Sequence, residues 1–298
     1  MKSVGFSKVS LNTVLKYLEA NDIAEEISKT ISTTHMVDFR FSDKYVMKKI
    51  KAFEFMLYTR LIHNPNPTQK KFYSTLPEIY GLVYDPQSDN CYIVMENFNP
   101  SNTCSEIEIK VGRYNYLPTH FEEKQISKFR NSFILGSIDD DYRVCMLARR
   151  DKFGNIVDKK RIEKVSGVKQ RVTPNSLELL LKPYPEEEAD SEFLKEAIAY
   201  YEQQLLLLIE IFEKELNELG FMIAAASLMF LLDYKNKNYR LLFIDFGCCA
   251  PCSRMDIWPT EQLQAFKSVL ADLRRCRDKL FPQTPAPAKE PEVANPTS

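Results

Sequence analysis

The stretch YRLLFIDFG, residues 239–247, decides the fold class of this chain. Its apolar run predicts a buried strand, and the similar run LMFLLDY at 228–234 precedes it across the turn sequence KNKN, which is typical of a hairpin. Asp245 follows the second strand directly, before Phe246 and Gly247. A carboxylate at the end of a rigid strand points into the cleft that the sheet edge faces. The sequence therefore predicts a sheet that presents Asp245 to a cleft.

Strands and helices alternate irregularly along the rest of the chain, which favours an α+β protein. The period of the apolar residues predicts strands within 35–50, 76–98, 105–112 and 143–165, and helices at 10–31, 52–62, 121–131, 189–219 and 260–280. We expect a small N-terminal lobe over 1–98, in which 1–32 form a helical extension, and a larger lobe over 99–281. The low-complexity segment 282–298 predicts a disordered tail.

Composition excludes several classes of protein. The 298 residues are 44% hydrophobic, enough for a large core, and 40 Lys+Arg against 41 Asp+Glu leave a formal charge of −1. A protein that coats nucleic acid normally has a basic excess, so the charge balance argues against that function and leaves open a local basic pocket for a small anionic ligand. The start of the chain lacks a signal-like apolar region, and no apolar run reaches the roughly 20 residues of a membrane span. Seven cysteines, mostly in apolar segments, indicate reduced thiols, so we expect a cytoplasmic or nuclear protein. We also expect a monomer.

Three groups of charged residues could carry chemistry. Asp245 in IDFG matches the position of the Asp-Phe-Gly carboxylate that holds magnesium in kinases, although an aspartate before an aromatic residue at a strand end is more often a turn or cap residue. Glu106, Glu108 and Lys110 share one strand face, either as ligands or as a solvated surface. Lys48 in a strand precedes Glu54 in a helix by six residues, which is the kind of pair that fixes a lysine on nucleotide phosphates.

In this order, the motifs resemble those of the inositol polyphosphate kinase family, over about residues 33–275. The family pattern P-x-x-x-D-x-K-x-G is similar to residues 104–112, its S-L-L to Ser227-Leu228-Met229, and its I-D-F to residues 244–246. The inositol hexakisphosphate kinase branch is the most similar, because His35 lies thirteen residues before Lys48 as in that branch. MENF at 95–98 resembles the family hinge, whose backbone receives adenine.

The resemblance implies a two-lobed kinase fold, ATP and Mg²⁺ as cofactors, and an inositol polyphosphate as substrate. Lys48, oriented by Glu54, would hold the α/β-phosphates, and Asp245 would bind the metal. Lys110 would neutralise charge at the acceptor oxygen while Glu108 orients a hydroxyl. The hinge backbone of Glu96, Asn97 and Phe98 would receive adenine. Candidates for the basic wall that binds substrate phosphates are Lys124, Lys128, Arg130, Lys164, Lys169 and Arg171.

Four departures from the family pattern keep a second hypothesis open. Cys104 replaces its proline, Glu108 its catalytic-motif aspartate, Asn97 its hinge aspartate, and Gly247-Cys248 its Ala-His. A non-catalytic pseudokinase or scaffold is therefore the alternative.

Two further alternatives fit the sequence less well. An ordinary protein kinase would need a G-x-G-x-x-G loop and an H-R-D motif, which this sequence with its eight glycines lacks. A metal site at Cys248-Cys249-Ala250-Pro251-Cys252 would need a second pair of ligands at zinc spacing.

Overall fold

Three antiparallel sheets and the helices around them form the described part of this α+β chain. The computed structural model describes residues 39–41, 44–85, 90–100, 102–111, 142–151, 153–161, 176–182, 191–224, 226–251 and 259–282. In chain order the elements are β1 (Phe39–Phe41), β2 (Tyr45–Ile50), α1 (Ala52–Ile62), α2 (Pro67–Tyr73), β3 (Ile79–Asp85), β4 (Asn90–Glu96), β5 (Ser105–Val111), β6 (Tyr142–Arg150), β7 (Ile156–Arg161), α3 (Ser176–Leu181), α4 (Ser191–Lys214), α5 (Leu216–Leu219), β8 (Phe221–Ala224), β9 (Ser227–Asp233), β10 (Asn238–Ile244), β11 (Cys248–Pro251) and α6 (Pro259–Leu280).

The N-terminal sheet has the strand order β1-β2-β4-β3, and the two helices α1 and α2 lie between β2 and β3 in sequence. The predicted hairpin, helix and two strands in this region are confirmed. Helix α2 is not among the predicted helices, because it begins at the second proline of HNPNP, residues 63–67, and proline normally disfavours a helix. Pro67 instead occupies the start of the helix, where a missing N–H costs nothing, and Asn66 and Gln69 form a capping box.

The second sheet has the order β10-β9-β5-β6-β7 and carries the predicted β9–β10 hairpin. Strand β5 lies at its centre, with Ile107, Ile109 and Val111 fully buried on one face. Glu108 and Lys110 lie on the other face and are half-buried. Because β5 is the central strand, its predicted charged face lies in the interior of the sheet rather than at an edge. A third, two-stranded sheet pairs β8 with β11.

The long predicted helix 189–219 is two helices in the structure. Helix α4 ends before Glu215, whose φ of −120° and ψ of 9° interrupt the helical backbone, and α5 follows. The interruption brings the Glu215 carboxylate onto α2, where it accepts hydrogen bonds from Lys71 Nζ at 2.6 Å and Thr68 Oγ1 at 2.8 Å. Gly220 then ends α5 in the left-handed conformation that is common for glycine at helix ends.

The hydrophobic core is continuous across the first two sheets. Phe246, from the IDFG motif, is fully buried at the centre of an aromatic group. Its ring centroid lies 5.8 Å from that of Tyr58 in α1, 5.7 Å from that of Phe72 in α2 and 5.1 Å from that of Phe243 in β10. The segment that follows β10 is therefore fixed by packing against both halves of the fold.

Several predictions concern residues beyond the described ones. The helices at 10–31 and 121–131 and nearly all of the predicted tail at 282–298 lie outside the described residues. The lobe boundary at residue 98 stays a prediction. Within the described part of the chain, none of the helices combines the length and apolar character needed to cross a membrane.

Candidate active site

Four charged side chains from different parts of the chain meet beside the end of β10. Lys48 Nζ in β2 lies 3.1 Å from Glu54 Oε1 in α1 and 3.1 Å from Asp245 Oδ1. Lys110 Nζ in β5 donates to Asp245 Oδ2. The Asp245 carboxylate thus joins the two lysines that the sequence assigned to opposite lobes. The charges of Lys48, Lys110, Glu54 and Asp245 balance, and we call these four residues the ion-pair cluster.

Strand register brings Asp245 to Lys110. In the antiparallel ladder, Ser227 of β9 lies opposite both Lys110 of β5 and Ile244 of β10, so these three residues form one row across the sheet. Asp245 directly follows that row, with a φ of 68° in the left-handed region. Aspartate tolerates this conformation better than most residues because its short polar side chain can bond locally. The left-handed turn and the buried Phe246 together hold the carboxylate beside the two lysines.

Burial and the ion pairs shift the pKa values of Asp245, Lys48 and Glu54. Burial would raise the pKa of Asp245, but the charges of Lys110 and Lys48 outweigh it and lower the pKa to about 2. Burial would lower the pKa of Lys48, yet Glu54 and Asp245 raise it above its ordinary value. Burial raises the pKa of Glu54, whose side chain is only 2% exposed, against the opposing charge of Lys48. Asp245 and Lys48 are therefore charged at neutral pH, in the state that phosphate and metal binding requires.

Glu108 lies next to this cluster on the same face of β5. Its Oε1 atom accepts a hydrogen bond from the hydroxyl of Ser227 at 2.8 Å, and Ser227 is fully buried. The sequence marked Ser227 only as part of a family-like motif and gave it no role. No local pattern could have shown the contact, because it depends on the register between β5 and β9.

The predicted hinge at 96–98 joins the two halves of the fold. Arg240 of β10 binds the Glu96 carboxylate through both terminal nitrogens at 2.7 Å, and the Glu78 N–H donates to the same carboxylate at 2.7 Å. Burial would raise the pKa of Glu96, but these donors lower it. The N–H groups of Glu96 and Asn97 donate to the carbonyls of Glu78 and Lys44, so the structure already uses two of the three hinge amides.

An apolar surface lies on the same sheet face as Glu108 and Lys110. Register places Leu242 and Met229 in one row with Glu108, directly beside the row that contains Lys110. The partly buried side chains of this surface are Phe98, Met146 and Ile244, which pack against the buried Cys104, Met229, Leu231 and Leu242. It extends from the hinge toward the ion-pair cluster, so a flat apolar ring could lie on it with its polar substituents toward the lysines.

The remaining predicted site residues are not placed by the structure. The six substrate candidates Lys124, Lys128, Arg130, Lys164, Lys169 and Arg171 lie outside the described residues. So do Cys252 and the side chain of Cys248, while Cys249 is buried and forms no disulfide. Among the residues that are described, no three His, Cys, Asp or Glu side chains are grouped closely enough to hold a metal by themselves.

Comparisons with known proteins support the fold. Neither protein-family models nor curated protein sequences match this sequence. Among solved structures, an inositol phosphate multikinase is 15% identical and superimposes with a TM-score of 0.55 over 76% of this chain and 99% of its own. The S. cerevisiae inositol phosphate multikinase Ipk2 in complex with ADP and Mn²⁺ is 14% identical, with a TM-score of 0.56 over 78% of this chain and 98% of its own. The chain therefore has the two-lobed, kinase-like α+β fold of these structures.

Proposed function

We propose that this protein is a kinase that transfers the γ-phosphoryl group of ATP to an inositol polyphosphate. The ion-pair cluster carries the proposal, because it brings Lys48, Glu54, Lys110 and Asp245 together on a fold shared with inositol phosphate multikinases. Phosphoryl transfer depends mainly on positioning and on neutralising negative charge, and these residue types serve that chemistry.

Each residue of the cluster has a role in this reaction. Lys48 binds the α/β-phosphates and is held in place by Glu54, and Lys110 neutralises charge at the acceptor oxygen. Glu108 orients a hydroxyl of the substrate or ribose. Adenine lies against the apolar surface and takes its hydrogen bonds from the backbone of the 96–98 hinge, where Phe98 offers an amide beyond the two that are already bonded.

The residues present fit a magnesium ion at Asp245. Mg²⁺ in nucleotide sites is usually bound by one or two carboxylates together with phosphate oxygens, so a dedicated cage of protein ligands is not required. The Asp245 side chain is ionised and 44% exposed, and Glu54 binds the same Lys48 ammonium group. The ion would neutralise charge on the β- and γ-phosphates, while Asp245 would hold it.

A more specific part of the proposal is the identity of the substrate. The motif similarity around His35, Lys48 and Glu54 favours the inositol hexakisphosphate kinase branch, whose acceptor carries many phosphates. Lys124, Lys128, Arg130, Lys164, Lys169 and Arg171 would form the basic wall that binds them. We therefore expect inositol phosphates with five or six phosphates to bind most tightly, and salt to weaken this binding.

Incubation with ATP, Mg²⁺ and a panel of inositol phosphates, with the products separated by charge, tests this proposal. Lys48→Ala should lower turnover by about a thousandfold, because a phosphate-binding charge is lost at the transition state. Lys49→Ala is the matched control, since Lys49 is an exposed lysine in the same strand. Phosphorylation of protein substrates only, or equal turnover by the two variants, would contradict the proposal.

A pseudokinase that binds nucleotide without transferring phosphate is the second candidate. It is favoured by the two ammonium groups that occupy both oxygens of Asp245, and by the departures at Asn97, Cys104 and Glu108. A thermal-shift titration separates the two. ATP that stabilises the protein without any product from the inositol phosphate panel would favour the pseudokinase, and product formation would exclude it.

A further inference from the structure

Glu108 and Ser227 form a diagonal pair across β5 and β9. Glu108 lies directly opposite Met229, whereas Ser227 lies directly opposite Lys110, two positions away. Diagonal neighbours in an antiparallel sheet are about 7–8 Å apart at the backbone, a distance that only long side chains can span. The Ser227 hydroxyl nevertheless donates to Glu108 Oε1 at 2.8 Å.

The length of residue 108 makes this contact possible. The inositol polyphosphate kinase family, which the sequence resembles, has aspartate at this position, and glutamate adds one methylene between the strand and the carboxylate. The shorter aspartate would leave its carboxylate short of the diagonal serine. Ser227 is fully buried, so the hydrogen bond also satisfies a hydroxyl that water cannot reach.

The pair leaves one oxygen of the carboxylate for a ligand. Oε1 accepts from Ser227, and Oε2 belongs to a half-buried side chain on the same sheet face as Lys110. A carboxylate accepts hydrogen bonds at both oxygens, so the bond at Oε1 fixes the orientation of Oε2. The arrangement suits a hydroxyl donor beside the ammonium group of Lys110.

We propose that Ser227 is a positioning residue that holds Glu108 in place to accept a hydrogen bond from a hydroxyl of the inositol polyphosphate. This inference rests on the proposed kinase function. It also gives a reason for glutamate at position 108, because the longer side chain and Ser227 work as one unit.

Steady-state kinetics of single and double variants test this role. Ser227→Ala and Glu108→Asp should each lower kcat about tenfold and leave the KM for ATP within about twofold, because a charge-assisted hydrogen bond is lost without touching the nucleotide phosphates. The double variant should be no slower than the slower single variant, since both changes remove the same contact. Additive losses, or a change confined to the KM for ATP, would overturn the proposal.

Ser105→Ala is the matched control. Ser105 is also a buried serine of the same sheet, and its hydroxyl accepts from the Arg150 N–H at 2.8 Å, on the face away from Glu108. Its removal should leave kcat within about twofold, because a buried hydroxyl is lost without moving Glu108. Equal kcat values for Ser227→Ala and Ser105→Ala would show that Ser227 is only structural.

Urea unfolding of the same variants gives a readout that does not depend on activity. Ser227→Ala should raise the unfolding equilibrium constant about tenfold in the wild-type background and much less in the Glu108→Asp background. Equal effects in the two backgrounds, in a protein that turns over, would overturn the pairing and leave the kinase function standing. No turnover of any inositol phosphate by the wild-type protein would overturn the proposed function and the role of Ser227 in it, even where the unfolding data show the pair.

Discussion

Replacing Lys48 with methionine should destabilise the fold chiefly through Glu54. Lys48 Nζ lies 3.1 Å from both Glu54 and Asp245, but the two carboxylates differ in environment. The Asp245 side chain is 44% exposed and keeps Lys110, so its lost ion pair should cost at most about 1 kcal/mol. The Glu54 side chain is 2% exposed, and breaking a buried pair from one side costs about 3–5 kcal/mol. We expect a loss of about 3 kcal/mol near pH 7.5, because Glu54 can relieve part of the cost by taking up a proton.

The pH dependence of this loss identifies Glu54 as its source. Burial already raises the Glu54 pKa above 4.5, and removal of Lys48 raises it further. Above the unfolded-state pKa, the folded protein then holds a proton that the unfolded chain has released, so stability falls as pH rises toward the folded pKa. The deficit of Lys48→Met relative to wild type should therefore be smaller at pH 5 than at pH 7.5.

Urea unfolding at both pH values measures the effect, and a melting temperature about 6–12 °C below that of wild type should accompany it at pH 7.5. Adding Glu54→Gln to Lys48→Met should recover most of the stability at pH 7.5 but none of the turnover. The control variant Lys49→Met, which replaces the exposed neighbouring lysine, should unfold like wild type. A deficit that is the same at both pH values, or that Glu54→Gln does not relieve, would refute this reasoning.

Substitutions at four further positions have defined outcomes. Asp245→Asn should lower turnover about a thousandfold and cost ~1 kcal/mol near pH 7.5, because its ion pairs are lost. Asp245→Ala should cost a further ~1 kcal/mol at the left-handed φ of 68°. Because the Asp245 pKa is lowered from 3.8 to about 2, wild type should lose stability relative to Asp245→Asn as pH falls through that window, measured by thermal unfolding. Gly247→Ala should change stability by less than about 0.5 kcal/mol, since the new Cβ would lie 3.8 Å from Asp245 Oδ1 and 3.9 Å from Glu54 Oε2. Gly220→Ala should cost ~1 kcal/mol or more, because Gly220 has a φ of 78°. Arg240→Met should raise the KM for ATP several-fold and lower the free energy of unfolding by ~2 kcal/mol, because it removes the bidentate ion pair with Glu96 of the hinge. An unchanged KM for ATP would contradict this.

The sequence alone determined most of the elements and part of the site. Strand alternation in β5 and the apolar runs of β9 and β10 depend on local periodicity, which a single sequence displays directly. The same holds for the strand-to-helix step that puts Lys48 within 3.1 Å of Glu54, because six residues of local chain geometry bring them together. The position of Asp245 after a buried strand was also predictable, since the apolar run ends there.

Only the tertiary structure decided which distant residues meet. The contact of Lys110 with Asp245 and the diagonal bond of Ser227 to Glu108 both follow from the register of β5, β9 and β10. Register is set by the packing of whole faces, and a shift of one residue would turn Lys110 and Glu108 into the core. The interruption at Glu215 likewise depends on hydrogen bonds to α2, about 150 residues away in sequence, which no local propensity encodes. The charged residues could therefore be named from the sequence, but the cluster they form required the folded sheet.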